Sequence, residues 1–204
     1  MAENTKPATG WPGRLRRLLP AMVFLVCLAP LAALTHELGH GLTAAAFGCR
    51  INYITVGPAL QVYPAAKWIK PSGIMGSVDL DAAPAVRWQE GLSKLMGAGS
   101  NAVIACLLLV AMLLLPSARA WRFQAAAVVL FGWDIICYGI LPQIGLKHGV
   151  FIGGDAPEPV VACTMLGLPT VVFNLLLGGY VIAIHALLWC TYVRATRSAK
   201  ACAA

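Results

Sequence analysis

The chain has 204 residues, of which 59% are hydrophobic and only 11% charged. That balance excludes an ordinary soluble globule and leaves no room for a second sizeable soluble domain. The net charge of +7 does not point to nucleic acid, because the basic residues are scattered at the ends of apolar segments, where they would meet lipid headgroups. The seven cysteines form no Cys-x-x-Cys pair and lie mostly in apolar stretches. They read as small hydrophobes, with no disulfide framework and no cysteine zinc site.

Residues 1–13 are polar and contain Pro7, Gly10, Pro12 and Gly13, which predicts a flexible tail. A first helix is expected from about Arg14 to Phe47, with Gly48 as its stop. Its apolar body, Leu18 to Leu34, is broken only by Pro20 and Pro30. A basic flank and an apolar body also describe a signal peptide. This run continues directly into an ionisable cluster and a helix-compatible Leu42 to Phe47, so it is read as a retained membrane helix.

From Cys49 to about Gly91 no continuous span exists. Ile51, Tyr53 and Thr55, then Leu60 and Val62, alternate with other residues around Gly57-Pro58, which predicts short strands about a turn. Gly73, Gly76 and Pro84 mark further loops. A second helix is expected over about Leu92–Leu115, and a third over about Trp121–Leu141, closed by Pro142 and carrying Asp134. A fourth is expected over Val160 to about Val193, bent or split at Gly167-Leu168-Pro169, with His185 deep inside it. The tail 194–204 should lie in water. The expected fold is an all-α polytopic membrane protein with about four transmembrane helices and a short strand-rich segment after the first, forming a single membrane-embedded domain over 14–193.

The ionisable cluster is Thr35-His36-Glu37-Leu38-Gly39-His40-Gly41. His-Glu-x-x-His on a helix sets two imidazoles one turn apart on one face, close enough to share one zinc ion. Glu37 between them is the candidate general base toward water at the metal. Three ionisable residues at membrane depth are costly, which makes the cluster a functional site by default.

These residues, with Gly39 before the second histidine and Gly41, Ala44, Ala45 and Ala46 after it, resemble the zinc motif of the site-2 protease family of intramembrane zinc metalloproteases. The resemblance extends to Gly97-Ala98-Gly99-Ser100-Asn101, similar to the family's Gly-Pro-x-x-Asn segment but without the Pro. It also extends to Pro142 followed by Asp155, where the family has Asn-x-x-Pro and then Asp-Gly. This chain departs from that pattern. Gly139 stands at the Asn position, Ala156 follows the Asp, and the spacing between Pro142 and Asp155 is longer, so the resemblance is to a divergent member. It implies Zn2+ as cofactor, a lipid-embedded membrane-protein substrate and multi-pass placement in the cell membrane. It also implies a strand-rich segment beside the active site that can pair with an extended substrate.

A catalytic zinc site takes three protein ligands. The resemblance implies His36, His40 and Asp155, with Glu37 as the catalytic base. Asp155 also suits a helix N-terminal or turn acid after Gly153-Gly154. Asp134 is the rival ligand, or a group that orients a histidine from behind. His148 and, more remotely, His185 are further ligand candidates, which also read as a loop residue and a polar packing residue, and Asn101 offers polar support. Four helices would put both termini on one side. Arg14, Arg16, Arg17, Arg119, Arg122, Arg194 and Arg197 would share that side, which predicts a cytoplasmic N-terminus and a metal motif nearer the external half. The family more often has its metal nearer the cytosol. Beside the protease stand two other readings: an inactive membrane scaffold or adaptor that retains a zinc site, and a metal transporter, for which helices two and four offer few polar residues.

Overall fold

The computed structural model describes residues 11–57, 59–70, 76–117, 120–148 and 154–201. The elements run α1 (Trp11–Ala46), β1 (Ile51–Val56), β2 (Leu60–Tyr63), β3 (Lys67–Trp68), β4 (Gly76–Leu80), α2 (Arg87–Leu114), α3 (Trp121–Gly139), a 3-10 turn (Pro142–Ile144), α4 (Glu158–Met165) and α5 (Thr170–Ala201). Among the described residues, three helices are long and apolar enough to cross a membrane: Leu19–Ala46, Arg87–Leu114 and Thr170–Arg197. These are the helices of a membrane protein. The expected third span, α3, has 19 residues and is not in that set. With only 19 residues, and Arg122, Gln124 and Asp134 among them, it offers no 18-residue stretch as apolar as those of the three longer helices.

Helix boundaries differ from the sequence reading at three points. α1 begins at Trp11, ahead of Arg14, because Pro12 falls in its first turn, where a missing N–H costs nothing. α2 begins at Arg87, ahead of Leu92, and absorbs Gly91. That glycine is a packing device: a Cβ there would sit 2.8 Å from Met165 Cβ of α4. α5 continues through Arg194 to Ala201, since nothing in that stretch breaks a helix. Residues 1–10 and 202–204 of the expected tails lie outside the described residues, as do Pro58, Gly73 and Gly153.

Small residues let α1 and α2 cross closely. At Gly39 any side chain would run into the backbone carbonyl of Met96. Ser100 Oγ donates to the Thr35 carbonyl (2.8 Å), and Ser93 Oγ donates to the His40 carbonyl (3.0 Å), so the two helices run antiparallel. Below this crossing an apolar core of Ala105, Leu109, Met112, Val128, Phe131, Ile184 and Leu188 joins α2, α3 and α5. Trp121 Nε1 donates to Thr191 Oγ1 (3.0 Å) at one end of α3, and Gly139 meets Phe173 at the other, so α3 and α5 are also antiparallel. Gly167, at φ +78°, makes the break between α4 and α5 that Gly167-Leu168-Pro169 predicted.

The segment after α1 folds as one antiparallel sheet in the order β3-β2-β1-β4. β1 and β2 are the strands expected around Gly57, whose φ of +64° makes the turn. Gly76, read as a loop marker, instead opens β4, the edge strand on the α1 side.

Candidate metal centre

α1 places His36 and His40 one turn apart, with their Nε2 atoms 3.1 Å from each other. The third group arrives from α4. Glu158 Oε2 lies 3.3 Å from His40 Nε2 and 3.6 Å from His36 Nε2. Among the described residues, these three are the group able to hold a metal ion. Metal–ligand bonds of about 2.0–2.1 Å at tetrahedral angles set donors about 3.3 Å apart, which is the spacing seen here.

The outward atoms of both rings are fixed. His36 Nδ1 donates to Asp134 Oδ2 (2.7 Å), and His40 Nδ1 donates to the Ser93 carbonyl (2.8 Å). Each Nε2 then turns a lone pair inward. Two lone pairs and a carboxylate oxygen converge, and the buried Glu158 Oε2 has no hydrogen-bond partner among the described residues. Such a convergence requires positive charge. One proton satisfies one of the three contacts, whereas a metal ion takes all three. Burial works to neutralise Glu158, but the closeness of His36 and His40, and the positive charge they carry when protonated, outweigh it. The carboxyl is held below its usual range and is ionised at neutral pH, as a ligand must be.

Asp134 is held in turn. Asn101, fully buried, donates from Nδ2 both to Asp134 Oδ2 (2.9 Å) and to the Ala32 carbonyl (2.9 Å), while the Thr35 hydroxyl donates to Asn101 Oδ1. The acid therefore acts behind His36, a chain of partners that metal sites commonly require. Asn101, expected as polar support, fixes that acid. On the facing helix Gly97 leaves the space the rings occupy. A Cβ there would overlap the His40 ring and lie 2.8 Å from His36 Nε2.

Asp155, expected as the third ligand, is exposed and lies outside the group. Glu158, three residues later, is the acid that stands beside the two histidines. The sequence offered one signal for it: Glu158 is the first residue of a short helix between Pro157 and Pro159, and few of the chain's acids lie near apolar helices. An acid there also suits the helix dipole, so the feature looked ordinary. His185 is exposed on α5 and donates through Nδ1 to its own helix at the Val181 carbonyl (2.8 Å), so it takes no part in the centre.

Glu37 is 7% exposed and packs against the first residue of β4: a Cβ at Gly76 would lie 2.6 Å from Glu37 Oε1. A cavity of about 850 Å3 reaches His36, Glu37, His40 and Glu158. One wall is β4, with Gly76, Ser77 and Val78. Another is apolar, with Ala29 and Ala33 of α1 facing Leu130 and Trp133 of α3.

No protein-family model, no curated protein and no solved structure matches this chain. Fold and site nevertheless define a class. This is a helical membrane protein with a small antiparallel sheet and a His-His-Glu group able to hold a metal ion.

Proposed function

We propose that the protein is an intramembrane zinc metalloprotease, similar to the site-2 protease family, which hydrolyses peptide bonds in or near transmembrane segments of membrane proteins. The observation that supports this most is the convergence of His36 Nε2, His40 Nε2 and Glu158 Oε2 at tetrahedral spacing inside a cavity that also receives Glu37. The donor set of two imidazoles and one carboxylate suits zinc. Three protein ligands leave a fourth position open, as in catalytic rather than structural zinc sites. That open position and the buried Glu37 count against the scaffold reading, because a structural site needs no base.

Zinc, when bound, supplies Lewis-acid polarisation of the scissile carbonyl and lowers the pKa of water at the site. Glu37 accepts the proton of that water and passes it to the departing amine. Asp134 keeps His36 in the tautomer that offers Nε2 to the metal, and Ser93 does the same for His40. Among the described residues β4 has one edge unpaired along the cavity, against which an extended substrate segment adds as a further strand through its main chain. The apolar wall between α1 and α3 accepts the same segment's lipid-facing side chains. The test is cleavage of tagged single-span proteins in liposomes containing the purified protein. A strong zinc chelator abolishes cleavage and added zinc restores it. Cleavage that ignores the chelator would overturn the metalloprotease.

The reading includes four spans. α2 and α5 run in the same direction, and α3 packs between them antiparallel to α5, so α3 returns the chain across the bilayer. Arg14, Arg16 and Arg17 in the first turns of α1, Arg122 of α3, and Arg194 and Arg197 of α5 then share one end, with no acid among the described residues there. The sheet end mixes Arg50, Lys67, Arg87 and Lys94 with Asp79, Asp81 and Glu90. The basic end is cytoplasmic and the sheet faces outward in the cell membrane. In a cysteine-free background, Lys67→Cys reacts with a membrane-impermeant maleimide on intact cells, while Ser117→Cys reacts only after lysis. The opposite pattern would invert the topology.

A further inference from the structure

Glu158 reaches the histidines from the start of an eight-residue helix, preceded by a loop. The described part of that loop, residues 154–157, is held by His148. Its backbone N–H donates to the Gly154 carbonyl (3.0 Å), and its ring Nε2 donates to the Ala156 carbonyl (2.7 Å). The same Ala156 carbonyl accepts the backbone N–H of Glu158 (2.8 Å). His148 is 8% exposed, and Gly154 lies so close that a Cβ there would be 3.2 Å from the imidazole Cε1. One residue thus grips the loop at two points, two and four positions before the ligand.

The grip is tied to the other half of the centre. The His148 ring packs on Tyr138, with centroids 3.8 Å apart and planes at 31°. The opposite neighbour of Tyr138 is His36, at 4.2 Å and 35°. Tyr138 lies one turn after Asp134 on α3, and Asp134 fixes His36. α3 therefore registers a ligand from α1 through Asp134 and the loop before the α4 ligand through the Tyr138–His148 stack.

We infer that His148 is a positioning residue that sets Glu158 for metal binding, by clasping the loop at Gly154 and Ala156 and stacking through Tyr138 onto His36. This rests on the metal-centre reading above. A residue at this remove acts as an outer-shell partner does, and such partners typically alter metal affinity by about 10- to 100-fold.

The test uses the full-length protein in detergent micelles. Zinc affinity is measured by chelator competition, and the visible absorption of the cobalt(II)-loaded protein reports ligand geometry. His148→Ala weakens zinc binding about 10-fold or more and changes the cobalt spectrum, with the helical circular dichroism retained. His148→Gln keeps a donor for the Ala156 carbonyl but loses the stack, and recovers part of the affinity. His148→Phe keeps the stack but not the donor, and stays weak. Should the alanine variant fail to fold, the Gln and Phe variants decide, because both fill the space. Equal affinity and identical spectra in wild type and either set of variants overturn the clasp while leaving the metal centre in place. A wild type that binds neither zinc nor cobalt removes the metal centre, and the clasp with it.

Discussion

Glu158→Ala removes zinc from the purified protein, whereas Asp155→Ala leaves it at about one ion per chain. Elemental analysis of wild type beside the two variants reads this directly. The expectation follows from distance and exposure. Glu158 Oε2 stands 3.3 and 3.6 Å from the two Nε2 atoms and has no other partner among the described residues. Asp155 is exposed and outside that group. Loss of a direct ligand should exceed the roughly 10- to 100-fold that an outer-shell change costs. Asp134→Asn supplies the internal comparison. It keeps the shape of the group behind His36 but removes its charge, so zinc binding weakens within that smaller range. Zinc retained in Glu158→Ala and lost in Asp155→Ala would return the third ligand to the loop and would require α4 to sit differently on α2.

The two kinds of ligand also show what a sequence makes legible. His36 and His40 are four residues apart on one helix, and helical periodicity alone puts them together. The strands flanking Gly57 and the break at Gly167 are local too, written in alternation and in residues that favour positive φ. Glu158 is different. It reaches α1 because α4 packs on α2, where Gly91 lets Met165 approach. No spacing along the chain encodes that distance. Asp155 and Glu158 are less than one helical turn apart, so the sequence points to the region, and only the packing brings Glu158 rather than Asp155 beside the histidines. The contacts of His148 were hidden for the same reason. A lone histidine beside Lys147 looks like an ordinary loop residue until Gly154, Ala156 and Tyr138 are placed around it. Asp134 sits between these cases. Its burial cost in an apolar helix announced a partner, but only the packing of α3 against α1 identifies that partner as His36.

Glu37→Gln abolishes proteolysis while leaving zinc bound, and this is the change that separates an enzyme from a scaffold. The side chain is isosteric, so the packing beneath β4 is preserved, and Gly76 leaves it the same space. Glu37 does not belong to the His36, His40 and Glu158 group, so its replacement leaves the donor set whole. What is lost is the ability to accept a proton from water and return one to the leaving amine. General acid–base catalysis typically contributes about 10²- to 10⁴-fold, so cleavage in liposomes should fall by at least that range. The readouts are product formation from a tagged single-span protein and zinc content, measured on the same preparation. Zinc retained with cleavage lost fixes Glu37 as the base. Zinc retained with cleavage unchanged would remove Glu37 from the chemistry and would require a different group in the same cavity to move the proton. A wild type that holds zinc but cleaves nothing, with partner proteins still captured by Glu37→Gln as well as by wild type, would leave a membrane scaffold whose metal serves only to lock α4 against α1.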